Sequence, residues 1–182
     1  MSIEENTRIA QLGNPILKRR ADEIVDAADD CIQQLIRDMI DTLKQSKGVG
    51  LAAPQIFEAI RLIIIASHPN ERYPDAPSMT PTAMINPQIL SLSDETETDW
   101  EGCLSAPGLR GLVPRARSVQ LKYISKDGHE VVKIFSGFVA RIIQHEIDHL
   151  DGISFLERVS DIRDVATEKE FVRIIKNSQQ SS

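Results

Sequence analysis

His145, Glu146 and His149 lie within the stretch QHEIDHLDG, residues 144–152. On a helix, residues four apart sit one turn apart on the same face, so the two imidazoles can hold one divalent ion between them. Glu146 projects from a neighbouring angle, where a general base for a water on such an ion is needed. Phe138, Val139, Ile142 and Ile143 precede it and suit a buried helix. Histidine and glutamate on a buried apolar helix lose their hydration unless partnered, and a metal ion is the obvious partner. HExxH has only three fixed letters and recurs in unrelated chains, so the rest of the sequence must discriminate.

A hydrolytic site of this kind uses three protein ligands and keeps one position open for water. A third histidine six residues after the second is excluded, because residue 155 is Phe155. A glutamate about twenty residues on, supplied by another helix, is allowed by the spacing of Glu168 and Glu170, although their setting, TEKE, reads as an ordinary solvated helix face. Upstream, Cys103 in EGCLSAPG offers a thiolate, a strong ligand for iron, zinc or nickel. Read alone, Cys103 is equally a nucleophile paired with a histidine or a buried structural thiol.

The composition bounds what such a site can serve. The chain has 182 residues, the size of one domain, with a hydrophobic fraction of 41% and a charged fraction of 26%. A net charge of −6 and a pI near 5.2 argue against general binding to nucleic acid or to an anionic membrane. No apolar run approaches the ~20 residues of a membrane span. The opening MSIEENTR carries neither a secretory signal nor an Arg-rich transit peptide, and two cysteines, Cys31 and Cys103, make no disulfide framework. A cytoplasmic, reducing setting is expected.

Several elements must position these residues. Residues 8–28 read as an irregular arm lying over the core. Asp29 or Asp30 can cap a helix whose apolar stripe is Ile32, Leu35, Ile36, Met39, Ile40 and Leu43, ended by Gly48 and Gly50. Arg61–Ala66 is a β-branched strand, and the prolines of 67–82 make a loop. Residues 83–90 and the acidic stretch to Trp100 read as a hairpin or two sheet-edge segments, with Asp94, Glu95, Glu97 and Asp99 on a solvated face. Residues 117–135 form a hairpin about Lys126-Asp127-Gly128, followed directly by the histidine-bearing helix. A last helix is expected from near Asp161 to about Lys176, burying Val165, Phe171, Val172 and Ile175. The expected class is α+β: three helices and short, mostly antiparallel strands in one domain spanning 1–182, with 177–182 as a frayed tail.

A third segment, GVGLAAPQI at residues 48–56, is a turn of small residues that lets backbone approach a ligand closely, ending in Gln55. In isolation it is only a helix end and a turn, with Gln55 as a surface amide. Taken together, GVGLAAPQI, EGCLSAPG and QHEIDHLDG, in this order and spacing, resemble the three signature motifs of the bacterial-type peptide deformylases. The longer stretches EGCLSAPGLRGLVPR and GFVARIIQHEIDHLDG are similar to the branch also found in cyanobacteria and plant organelles. The resemblance runs over roughly residues 8–160, and the chain departs from the pattern outside the motifs, at Phe57 and Ser136.

The resemblance implies a peptide-deformylase-like fold around the HExxH helix. It also implies removal of the formyl group from N-formylmethionyl nascent peptides, with release of formate. Cys103, His145 and His149 become the ligands of one divalent metal, Fe2+ foremost, with Zn2+, Ni2+ or Co2+ able to substitute. A metal-bound hydroxide attacks the formyl carbon, with Glu146 as general base and then acid. The Gln55 amide and the Leu104 backbone N–H stabilise the oxyanion. Backbone near Val49, Gly50 and Gly102 pairs with the extended substrate, and Val49, Phe138 and Ile142 help to form an apolar pocket for its methionine. Glu101 and Arg115 are expected to pair behind the metal loop. The ribosome is a possible partner by this resemblance, whereas nucleic acid and membrane are not. Two other classes stay open: a zinc endopeptidase using Glu168 or Glu170, and a metal-binding module without turnover.

Overall fold

The computed structural model describes residues 9–46, 48–69 and 76–180. Residue 8 of the expected arm, residues 70–75 of the proline-bearing loop and residues 181–182 of the expected tail lie outside the described residues. Helix α1 spans Asp30–Ser46 and is capped by Asp29, whose carboxylate accepts from the Cys31 N–H at 2.7 Å. It turns Ile36, Met39 and Leu43 inward, as its apolar stripe predicts.

Strands β1 (Gly50–Ala52), β2 (Leu62–Ile65) and β3 (Thr82–Leu92) follow. With β6 (Ser118–Ile124) and β7 (Glu130–Ser136) they build an antiparallel sheet of order β1-β2-β3-β6-β7. Every residue of β2 is buried, which explains its unbroken run of leucine and isoleucine. β6 and β7 pair in register from Ser118↔Ser136 to Ile124↔Glu130, the hairpin expected about Gly128.

A second sheet, of order β4-β5-β8, comprises β4 (Thr96–Glu101), β5 (Leu109–Ala116) and β8 (Val165–Thr167). Of the hairpin or two sheet-edge segments expected over 83–100, β4 is an edge strand, whereas β3 lies inside the first sheet. The acidic stretch does not form a hairpin with β3; it pairs with β5, where Glu97 lies opposite Arg115. Its exposed Glu95 meets Arg117 at 2.7 Å, so opposite charge helps to set the pairing. β5 itself escapes notice in the sequence because it contains Gly111 and Pro114. Pro114 is tolerated because β8 pairs only with Leu109–Gly111, so β5 has a single strand partner there.

Helix α2 (Gly137–Leu150) packs on β1 and β2, and its residues Ala140 to Leu150 are all buried. The last helix, α3, spans Glu168–Gln180 and not 161–176. Val165–Thr167 are drawn into β8, so the helix starts later than its apolar spacing suggests and continues into the segment expected to fray. Val165, Phe171 and Ile175 are half-buried, whereas Val172 is exposed. No helix among the described residues is long and apolar enough to cross a membrane.

The N-terminal arm is irregular but firmly tied. Ala10 N–H donates to Gln55 O at 2.7 Å, Leu12 N–H to Ser105 O at 2.6 Å and Ala21 N–H to Leu150 O at 2.8 Å. The arm meets the end of α2 at Gly152, where φ is +75° and an added Cβ would lie 2.8 Å from the Lys18 carbonyl carbon. Gly152→Ala therefore combines left-handed backbone strain with a backbone clash and is expected to destabilise the protein by ~2 kcal/mol or more. A urea titration checks this: the midpoint falls with an unchanged slope.

Candidate metal centre

Three chain segments converge on α2: α2 itself, the loop after β4 and the glycine-rich segment around β1. α2 brings His145 and His149 to one face, with ring centroids 5.1 Å apart. The loop after β4 brings Cys103, whose Sγ lies 3.1 Å from His149 Nε2. The ligand-type atoms of Cys103, His145 and His149 all lie within 4.8 Å of one another. Residue 155, where a further histidine was excluded, is a phenylalanine whose ring stacks on His145 with centroids 5.9 Å apart. Glu168 is not part of the cluster: its carboxylate takes two hydrogen bonds from Arg110, at 2.6 and 3.1 Å, and Glu170 pairs with Arg173.

The imidazoles are oriented from behind. His145 Nδ1 lies 2.9 Å from Glu101 Oε2, which leaves its Nε2 for the cluster. Glu101, 4% exposed, also takes both arms of Arg115, at 2.9 and 3.0 Å, and Nη1 of Arg141 at 2.9 Å. Burial alone would raise the Glu101 pKa, but the bonds from His145 and Arg115 outweigh it and hold the carboxyl at about 2. Arg115 continues to Asp148 at 2.5 Å, and Asp148 also receives Arg158. The expected pair of Glu101 and Arg115 is thus part of a larger buried network.

Burial likewise opposes ionisation of Cys103, yet His149 and His145 beside it bring the thiol well below its usual value. Glu146 is different: burial dominates and pushes it up to about 7, against the pull of the two histidines. Its Oε2 is fully buried without a hydrogen-bond partner. A thiolate, two imidazoles and two flanking carboxylates make a pocket that favours positive charge. The donor set fits a divalent metal of the iron-to-zinc series, which the imidazoles and the soft sulfur suit and which the unpartnered oxygen would face across a water.

The glycine-rich segment closes the other wall. An added Cβ at Gly50 would overlap Glu146 Oε1 and lie 2.7 Å from Ile142 Cγ2, so only glycine lets β1 approach α2 this closely. Gln55, 2% exposed, accepts from the Ala52 N–H at 2.8 Å, which turns its NH2 toward Cys103 Sγ at 3.4 Å and Ser105 Oγ at 3.2 Å. Gln55 is therefore no surface amide. Leu104 follows the cysteine directly, with its side chain packed against the α1–β2 core. A cleft of about 370 Å³ opens on this cluster, and Val49, Gly50, Gln55, Gly102, Cys103, Leu104, Phe138, Ile142, His145 and Glu146 all line it. His149 closes the cluster from behind.

Sequence reasoning passed over three contributors. Ser105 supports Gln55, Asp148 anchors Arg115, and Arg141 reaches Glu101 from α2. The signal available for the last two was a charge in an otherwise apolar helix. Phe57, where the chain departs from the pattern, sits at φ +69° just after the Gln55 turn, a left-handed backbone that bulky residues rarely adopt.

Removing one partner of a buried charge network leaves the others uncompensated. Arg115→Ala strands Glu101 and Asp148 and is expected to destabilise the protein by ~3–5 kcal/mol. Arg115→Lys, which keeps the charge but not the two-armed geometry, falls between. Denaturant midpoints of the two variants against wild type test both statements.

Residues 6–165 match the polypeptide deformylase family. Peptide deformylase 2 of a Nostoc species is 48% identical over 172 residues, covering 94% of this chain and 96% of that protein. The structure is similar to the Met-Ala-Ser-bound class I type b peptide deformylase of Acinetobacter baumannii, with a TM-score of 0.82 and 45% identity over 87% of this chain and all of the other. It is also similar to the peptide deformylase of Thermotoga maritima, with a TM-score of 0.76 and 35% identity over 86% of this chain and 99% of that one. Matched in sequence along nearly its whole length, and in fold over most of it, the chain belongs to the polypeptide deformylase family.

Proposed function

We propose that the chain is a metal-dependent hydrolase that removes the formyl group from the N-terminal formyl-methionine of nascent polypeptides and releases formate. The observation that carries this reading is the convergence of Cys103, His145 and His149 beside a buried Glu146 with one unpartnered oxygen, at the floor of a cleft of about 370 Å³. Cys103, His145 and His149 would hold one divalent ion, Fe2+ foremost, with Zn2+, Ni2+ or Co2+ accepted by the same donors. Once bound, the ion supplies Lewis-acid charge that acidifies water and polarises the formyl oxygen.

The chain's own residues do the rest. Glu146 takes the proton from the attacking water and returns it to the departing amine; a carboxylate near neutral pKa suits both halves of that transfer. Gln55 Nε2 and the Leu104 backbone N–H donate to the oxygen as negative charge develops on it. The Ala52 N–H holds the Gln55 amide in place for this, with Nε2 beside Cys103 Sγ, so only the direction of one N–H need change as the charge appears. Val49, Gly50 and Gly102 pair with the extended peptide backbone, as an added strand does. Phe138 and Ile142, with Val49, receive the methionine side chain. Both sheets and α2 contribute to this site, so the chain works as one catalytic unit. A substrate borne on nascent chains sets the work in the cytoplasm, within reach of the ribosome. On α3, Lys169, Arg173 and Lys176 alternate with Glu168 and Glu170, so the helix offers no basic patch for a ribosome contact.

Formate release from a formyl-Met tripeptide, by protein purified anaerobically with ferrous ion, tests the reading. Glu146→Ala is expected to lower kcat by ~100–10,000-fold while the metal stays bound. Gln55→Ala is expected to lose ~100–1000-fold. Cys103→Ser should lower metal content itself, measured by elemental analysis after dialysis against a chelator. No formate from a stoichiometrically loaded wild type would instead favour a metal-binding module without turnover.

A further inference from the structure

We propose that Arg141 helps to select methionine, by presenting an N–H donor to the thioether of the substrate's first side chain; this rests on the deformylase reading above. Phe138, Arg141, Ile142 and His145 stand at i, i+3, i+4 and i+7 on α2, one face of the helix, and all four line the cleft. A side chain that leaves the reacting amide near His145 and runs along this face meets Ile142 and then Phe138, one and two turns away, with Arg141 beside them. Between His145 and Phe138 this helix face presents apolar Ile142 with one polar neighbour, Arg141, while Glu101 and Arg110 are among the polar residues that line the cleft from other elements.

That polar group is fixed and its charge is balanced. Nη1 of Arg141 donates to Glu101 Oε1 and to Val113 O, each at 2.9 Å, and Nη2 donates to Glu97 O at 2.6 Å. Nε has no hydrogen-bond partner among the described residues. Glu146 Oε2 is the one sealed side-chain oxygen or nitrogen there that lacks a partner, so Nε keeps accessible surface although Arg141 is only 7% exposed. A clamped guanidinium that leaves Nε–H and one Nη2–H uncommitted suits a side chain that is apolar and carries one weak acceptor. The thioether of methionine is such a group, and norleucine has the same shape with a methylene in place of the sulfur.

The comparison is therefore formyl-Met-Ala-Ala against formyl-norleucine-Ala-Ala in kcat/KM, with calorimetric binding of the two deformylated tripeptides as a second measure. Wild type is expected to favour methionine by roughly three- to tenfold in both, the range of one ordinary hydrogen bond, because the thioether is a weak acceptor. Arg141→Met should bring both ratios close to one. Arg141→Lys, which keeps a positive charge beside Glu101 but lacks the Nε donor, should do the same and serves if the first variant does not fold. A wild-type ratio of one overturns the proposal without any variant. So does a ratio that stays constant in the variants while both rates fall together, which would make Arg141 a structural clamp only. If wild type releases no formate from either peptide, the reaction reading has failed, and the binding ratio alone decides the role of Arg141.

Discussion

One buried carboxylate organises the centre. Glu101 takes four contacts in a small space: the two-armed fork of Arg115, Nη1 of Arg141 and Nδ1 of His145. An isolated buried carboxylate would lose several kcal/mol of hydration, so these donors are a condition of its burial and not an embellishment. Because Glu101 ends β4 while Arg141 and His145 lie on α2, satisfying it docks the second sheet on the central helix. The same bonds fix which imidazole nitrogen of His145 faces Cys103. Cys103 is two residues beyond Glu101, so orienting the histidine and delivering the thiolate are outcomes of one packing event.

The remaining parts of the site come from loops, whose backbone freedom must be removed by something outside them. The N-terminal arm does this. Its backbone hydrogen bonds reach Gln55, Ser105 and Leu150, one in or beside each of the three chemistry-bearing segments. Farther along, the Asn86 side chain accepts from the Ile24 N–H and donates to the Ile24 carbonyl, which pins the arm to β3. A largely irregular segment, anchored also by the buried Ala10, Leu17, Ala21 and Ile24, thereby sets the distances between segments that share no regular element. The strain of Asn86 at φ +49° accompanies this double bond.

These properties explain what could be read from the sequence. α1, β2, the β6–β7 hairpin and α2 follow from local periodicity, and the donor residues follow from their type and spacing. β5 and β8 do not, because Gly111, Pro114 and the brevity of Val165–Thr167 hide them, and only their pairing makes them strands. α3 shows the same limit: its apolar spacing extends back past Glu168, but the upstream residues gain more by joining β5. Within the site, a charge at residue 141 or 148 announces that a partner exists without saying which. The partners of Arg141 lie at residues 97, 101 and 113, on another sheet. Glu168 was legible as a possible ligand by distance along the chain, and its actual partner, Arg110, becomes visible only once β5 and α3 are folded together.

The two carboxylates that flank the histidines, one from β4 and one from α2, also show how one site can hold acids of opposite behaviour. Glu101 and Glu146 are both buried and both close to His145, yet one is held at about 2 and the other is pushed up to about 7. The difference is hydrogen-bonding supply. Glu101 is surrounded by guanidinium donors, whereas Glu146 faces Gly50, Ile142 and the cleft, with one oxygen bonded to nothing. Supplying Glu146 with a permanent donor would lower its pKa and make it a poorer base; leaving Glu101 without one would make it compete for the imidazole proton. In the proposed reaction the first must exchange a proton with water and amine near neutrality, and the second must never do so. The narrow approach of β1 at Gly50 keeps the two environments distinct, since a larger residue there would displace Glu146 and open its apolar surroundings to solvent.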